Sequence, residues 1–359
     1  MGHQTRRQAR DRLIRLAEAN TDVLDLLRET VAVLRAALPV EGWCGLVLDP
    51  ATAVKTGSVH HAGLSGELFR HALDLEYRHQ DVNNFAELAR ASHPAAVLAQ
   101  SCDGQPQRSA RYREVLTPAG YEHELRLVLR DRGAPWGGFV FLRERGSAPF
   151  TQADSDLLAS VSGPLAQSIR RASLRSHVDG VSHLRKHPGL LILDADQHVE
   201  SITPGTEHLL AGILDEPSST YPLPAALQAV AAQTLGSADA APTQARIPTR
   251  YGGWITVYGL RLEPSPRIAL SIEHARPETA ATLALDSYGL SPRERQVADL
   301  ILTGHSTHEI AHRLFLSPHT VRDHLKAIFV KTGTHSRREL ITDLFLRHYQ
   351  PGGEHQATS

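Results

Sequence analysis

The chain has 359 residues, 41% of them hydrophobic, 21% charged and only 5% aromatic, and its 38 Lys and Arg nearly balance 39 Asp and Glu. At about 150 residues per domain this length predicts two or three domains, each long enough to bury a core. The formal charge of −1 argues against a protein that coats nucleic acid along its whole length, though it leaves room for one basic domain among acidic ones.

Two cysteines, Cys44 and Cys102, cannot make a disulfide scaffold or a Cys-rich zinc site, and they suit a reducing compartment. The basic N-terminus lacks an apolar signal-peptide core, and no run of 18 apolar residues occurs, so a soluble, cytoplasmic protein with no membrane partner is expected.

In chain order, residues 5–37 have helical periodicity, with Leu13, Ile14, Leu16, Val23, Leu26, Leu27, Val31 and Leu34 recurring at steps of three and four. Strand-like runs follow at 42–49 and 53–61. A helical stretch from Ser65 to about Arg90 is broken near Asp81–Asn84, and 101–108 is a loop. Residues 111–131 read as a short helix, a break and a strand, and 136–144 as an apolar strand. Thr151 and Asp154 signal a helix start, opening a stripe of Leu158, Val161, Leu165 and Ile169. The alternation describes an α/β sandwich. Its RYREVLTPAGYEHELR and WGGFVFL segments resemble a GAF domain, over roughly 20–173 and with N-terminal helices from residue 5.

Residues 188–275 repeat this order on a smaller scale: two strands over 189–202, helices at 204–212 and 223–235, then three strands. This α+β segment resembles a PAS-type domain. A hinge is expected at 275–283.

Residues 286–349 complete a multidomain chain with an all-α four-helix domain. Ser291…Glu294, Ser306…Glu309 and Ser336…Glu339 fit the capping box, and Ser317-Pro318 places a capping hydroxyl before Pro at a first helical position. Gly304 and Gly333 sit where helix stops favour a residue that accepts positive φ. Each helix carries an apolar side: Val297, Leu300, Ile301; Ile310, Ala311, Leu314; Val321, Leu325, Ile328; Leu340, Ile341, Leu344. Phe315-Leu316-Ser317 is short enough to join the second and third as a helix-turn-helix.

The segment resembles the LuxR/FixJ-type helix-turn-helix from Leu290-Ser291-Pro292-Arg293-Glu294 through Ile310–His324 to Leu325…Lys331 and Ser336…Leu340. With Val321, Leu325 and Ile328 inward, Arg322, Asp323 and Lys326 must face outward, and Arg322 and Lys326 are one turn apart. Arg bonds guanine bidentately and Asp accepts from cytosine N4. The resemblance likewise implies base contacts at these three positions, Asp323 either reading cytosine or orienting Arg322. Ser317, Thr320, His324 and Lys331 are placed for backbone phosphates. Nine Lys and Arg against six Asp and Glu give residues 290–349 a net charge of +3, while residues 1–289 carry −3. So mild a basic domain calls for a homodimer on double-stranded DNA, its half-sites about 34–36 Å apart. The fourth helix, 336–348, resembles the family's dimerisation helix.

The rival is His308-Glu309-Ile310-Ala311-His312, a literal H-E-x-x-H of zinc hydrolases. Phe315 and Pro318 stand where the extended form of that motif needs Gly and His, and Glu309 already serves as a helix cap. Other candidates are weaker. His71 or His123 could be a buried haem ligand, Cys102 is the better placed sensor thiol and Cys44 a core residue, and Trp43, Trp136 and Trp254 read as core. The basic stretch of five Arg and one Asp in residues 6–15 reads as a solvated helix. No receiver-type Asp pair, kinase nucleotide box or aromatic lactone pocket is visible. The sequence therefore predicts a one-component transcriptional regulator, not an enzyme, with no resident cofactor or metal. Its GAF- and PAS-like domains would be gated by a small-molecule or redox signal, or would only dimerise, and RNA polymerase is a possible partner.

Overall fold

The computed structural model describes residues 3–19, 22–61, 64, 66–79, 81–131, 133–175, 188–214, 223–237, 242–250, 254–274, 288 and 290–346, with side chains to 341 in the last segment. The hinge at 275–283 lies outside the described residues. Two sheets belong to one compact unit, and the C-terminal helices form a second.

The first sheet is built from β1 (Gly42–Leu48), β2 (Lys55–His61), β3 (Ala95–Val97), β4 (Tyr121–Asp131) and β5 (Ala134–Glu144). Its order is β2-β1-β5-β4-β3, antiparallel throughout. On one face lie α1 (His3–Glu18) and α2 (Val23–Leu34), with α6 (Gln152–Ala159) and α7 (Ser162–Arg175) later in the chain. Their apolar stripes pack on Leu125, Leu127, Leu129, Phe139 and Phe141. The helical periodicity over 5–37 forms two helices, the second starting where Asp22 caps α2 by accepting from the Leu24 N–H at 2.8 Å.

The helical stretch at 65–90 does break where expected, into α3 (Gly66–Tyr77) and α4 (Phe85–Arg90). A short α5 (Leu98–Ser101) follows β3, and a wide turn at Tyr112–Leu116 precedes β4. Strand alternation puts Glu124, Arg126 and Val128 opposite the Leu125–Leu127–Leu129 face. There Val128 packs with Phe85 and Leu88, and the charged pair enters a buried network. Glu124 accepts from Arg111 Nε and Nη2 at 3.1 and 2.9 Å and from Arg126 Nε at 3.1 Å. Arg126 Nη1 also donates to Glu76 at 2.6 Å, and Asp81 accepts from Ser109 Oγ and the Arg111 N–H. Burial pushes the Glu124 carboxyl up, but the two guanidiniums outweigh it and hold the group below its ordinary value.

The second sheet, β6 (Gly189–Leu193), β7 (Val199–Ile202), β8 (Thr243–Pro248), β9 (Trp254–Arg261) and β10 (Ile268–His274), runs β7-β6-β10-β9-β8. Counted from each sheet's first strand, both orders are 2-1-5-4-3. This is the repeat that the sequence order suggested. The helices α8 (Thr206–Leu210) and α9 (Ala225–Gly236) belong to this half.

The two halves share a core. Helix α9 is apolar all round and buried from Ala225 to Ala232, packing on α3 and β2 of the first half as well as on β8. A helix without a polar face is buried on more than one side. Val54 and Leu73 join its core. The backbones meet closely: a Cβ on Gly236 would lie 2.3 Å from the Tyr77 carbonyl oxygen, and one on Gly57 would lie 2.3 Å from that of Leu214. Across the same boundary, buried Asp49 accepts from the Arg246 N–H at 2.9 Å and from its Nη2 at 2.7 Å.

Several side-chain expectations change. His71 is only half-buried and pairs with Glu114, which removes it as a buried ligand, and half-buried His123 bonds the Ser147 carbonyl. Cys102 is buried at the end of α5 rather than in an open loop. Burial pushes its thiol up, and the Asp81 charge adds to this, so the reactive thiolate is disfavoured. Cys44 is partly exposed in β1. Trp43, Trp136 and Trp254 are all buried, as read.

Candidate nucleic-acid interface

The second unit contains α10 (Pro292–Leu302), α11 (Thr307–Leu314), α12 (Pro318–Thr332) and α13 (Arg337–Leu346). Val297, Ile301, Ile310, Val321, Leu325, Ile328 and Leu340 form its core, with Leu300, Leu314 and Ile341 packed against them. Leu344 lies outside the described side chains.

Two capping boxes form as read. Ser291 Oγ accepts from the Glu294 N–H while Glu294 accepts from the Ser291 N–H, and Ser306 and Glu309 do the same. The third is displaced: Ser336 Oγ accepts from the Glu339 N–H at 3.1 Å, but the Glu339 carboxylate takes the N–H of His335, one residue earlier. Gly304 and Gly333 hold φ of 86° and 71° and end α10 and α12. Ser291→Ala is expected to lower the stability of this unit by about 0.5–2 kcal/mol, read as a fall in the thermal midpoint of its transition.

The turn between α11 and α12 is Phe315-Leu316-Ser317, as the spacing required. Arg293 Nη2 donates to the Leu314 carbonyl at 2.5 Å, satisfying one of the carbonyls left open at the end of α11. Sequence reasoning treated Arg293 as a motif letter and missed this brace. Ser317 Oγ accepts from the Thr320 N–H at 3.0 Å and bonds Thr320 Oγ1 at 2.9 Å, capping α12.

Along α12, Val321, Leu325 and Ile328 are buried, and Arg322, Asp323 and Lys326 are exposed. Asp323 does not orient Arg322. Its carboxylate lies 3.0 Å from His319 Nδ1 and 4.0 Å from Lys326 Nζ, residues one turn away on the same face, whereas Arg322 as its neighbour projects elsewhere. Among the described residues Arg322 has no ion-pair partner. Ser317 is exposed at the helix start, and Thr320 and His324 are half-buried. Lys331 is engaged: its Nζ lies 2.5 Å from Glu294 Oε2. Burial raises the Glu294 carboxyl, but this lysine and the Ser291 N–H hold it below its ordinary value.

The H-E-x-x-H residues do not converge. His308, Glu309 and His312 are exposed, and the Glu309 carboxylate accepts from the Ser306 N–H at 2.6 Å. Among the described residues, Asp194, Asp196 and His198 do gather, on the β6–β7 turn, where Asp194 accepts from the backbone N–H groups of the other two.

What this domain can do chemically is present a capped, outward helix with two exposed cationic side chains, Arg322 and Lys326, in its first nine residues, a shape that fits a major groove. The family profile described as bacterial regulatory proteins, luxR family, matches residues 288–343. The spore germination protein GerE of Bacillus subtilis is 38% identical over 55 residues, 15% of this chain and 74% of that protein. An HTH-type transcriptional regulator of Mycobacterium tuberculosis is 44% identical over 54 residues, 15% of this chain, and the match spans only 6% of that protein's length. Two solved structures resemble the chain loosely. The GAF domain of an Acinetobacter phosphoenolpyruvate-protein phosphotransferase is 13% identical, with 48% of this chain and 96% of that one aligned at a TM-score of 0.32. Escherichia coli SdiA is 10% identical, with 95% and 98% aligned at 0.34. With two fifths identity across most of GerE, the chain belongs to the luxR family of bacterial regulatory proteins.

Proposed function

We propose that this protein is a one-component, dimeric transcriptional regulator that reads a specific DNA sequence through α12. The observation that carries this reading is the outward row of Arg322, Asp323 and Lys326 on a helix whose opposite face is locked into a core. Arg322 and Lys326 bond base edges, and Asp323, held beside Lys326, sets that lysine's direction and accepts from cytosine where one is reached. Ser317, Thr320 and His324 meet phosphates around the N-terminus of α12, where backbone N–H groups and the helix dipole favour an anion. Lys331 adds a charge already shared with Glu294, so its contribution is the smallest.

In this reading the chain divides into a GAF-like domain at 5–173, a PAS-like domain at 188–275 and the reader at 286–349, working in the cytoplasm. A small molecule binding the sheet-bearing unit would bias the dimer toward or away from a spacing that fits two half-sites, through its differential affinity for the two arrangements. In this reading the reader is not an enzyme: Glu309 is committed to a helix cap, and His308 and His312 stand exposed without converging on it. RNA polymerase is the partner through which bound protein would act.

The test is selection from randomised duplexes with the purified full-length chain. Two-fold symmetric half-sites one helical turn apart, with affinity that falls linearly in log–log against salt, are the expected outcome. Recovery of no enriched sequence would refute sequence-specific reading.

A further inference from the structure

Phe315 is the most exposed large apolar residue described, 95% accessible at the turn between α11 and α12. It is also held at φ 54°, ψ 45°, in the left-handed region where a residue with a Cβ is disfavoured and Gly or Asn is the usual occupant. Two separate costs fall on one residue, and neither is offset within its own unit. Among the described residues the ring is not part of the core or of the groups packed against it, and the conformation ends a helix that glycine would end more cheaply.

The turn that carries the ring is firm. Arg293 ties the Leu314 carbonyl, Leu316 N–H donates to the Ala311 carbonyl at 2.8 Å, and Leu316 packs against the core. Two residues on, Ser317 opens α12 beside Thr320. A solvated phenyl ring on a firmly held turn thus stands two residues before the capped start of α12.

We infer that Phe315 is a further DNA-contacting residue, its ring packing on the deoxyribose and base edge of the strand whose phosphates meet Ser317 and Thr320. The partner is DNA because the ring is continuous in sequence and in space with the capped N-terminus of α12. A deoxyribose or a thymine methyl is the apolar surface that a duplex offers there. The inference rests on the DNA-reading function proposed above.

Phe315→Asn supplies a residue suited to the left-handed turn while removing the ring. The full-length variant is compared with wild type on the selected duplex, by thermal unfolding and by binding across a salt series. The expected result is a C-terminal unit at least as stable as wild type, affinity reduced about 5- to 20-fold, and an unchanged salt slope, because an apolar contact releases no counterions. Wild-type binding is the control for the parent reading: if wild type binds no duplex, that reading fails first. If wild type binds and Phe315→Asn binds equally well, the inference is overturned. Equal binding with reduced transcription in a purified system would overturn it in favour of the polymerase as the ring's partner.

Discussion

Replacing Glu124 by Ala is expected to destabilise the sheet-bearing unit by about 3–5 kcal/mol, because it leaves two buried guanidiniums facing each other without the carboxylate between them. Arg111 and Glu124 are almost completely buried, and Arg126 nearly so. Arg126 keeps Glu76, but Arg111 retains only Asp81, with its Nη1 3.6 Å from that carboxylate, and the Val82 carbonyl. Denaturant titration checks it, the midpoint falling with little change in slope.

The pH dependence has a definite sign. Glu124 is held below its ordinary value when folded, so the unfolded chain takes up this proton first. Its contribution is complete above the ordinary glutamate range of about pH 4.3 and is lost as pH falls through the lowered folded value. Glu124→Gln removes that dependence, so its stability profile should be flatter than wild type on the acid side. A profile parallel to wild type would mean that other carboxylates dominate acid unfolding.

Asp49→Ala is the second large effect, again about 3–5 kcal/mol, since Arg246 is left buried and unpaired where the two sheet-bearing halves meet. The loss would act at the boundary itself, and protease cleavage within residues 188–274 should accelerate. Arg246→Met in the Asp49→Ala background removes the stranded charge and should recover part of the stability, so the two changes are non-additive. Additive losses would show that Asp49 matters only through the turn in which it accepts from the Ala51 N–H at 3.0 Å.

How far these features could be read in advance depended on how local they are. The C-terminal helices were legible to within a residue or two because Ser291, Ser306 and Ser317 cap them and Gly304 and Gly333 stop them, all within one turn of chain. The apolar period runs straight through Asp22, so periodicity alone does not mark the break between α1 and α2, although an Asp before Val23 is itself a capping signal. Likewise, the stripe from Leu158 to Ile169 hid the division between α6 and α7. The shared core could not be seen: Asp49 and Arg246 lie 197 residues apart, and no spacing rule joins them. One signal did point to it, the run AALQAVAAQTLG, which has no polar face to turn toward water.

In the reader domain, burial periodicity gave the outward row of α12 but not its pairings. Asp323 meets His319 and Lys326, and Lys331 meets Glu294 from another helix. Phe315 was visible only as a member of a turn. Its left-handed backbone and exposed ring needed coordinates, although a Phe where a helix-turn-helix often uses Gly was the clue.

The central claim is that α12 reads base identity, and Arg322→Ala on the selected duplex tests it most directly. Affinity for the selected sequence is expected to fall by about 1–3 kcal/mol, with discrimination lost at one base pair per half-site. Binding to unrelated duplexes should fall far less. Equal losses on selected and unrelated duplexes would make Arg322 a phosphate contact, and unchanged affinity would remove it from the interface. Either result contradicts the account.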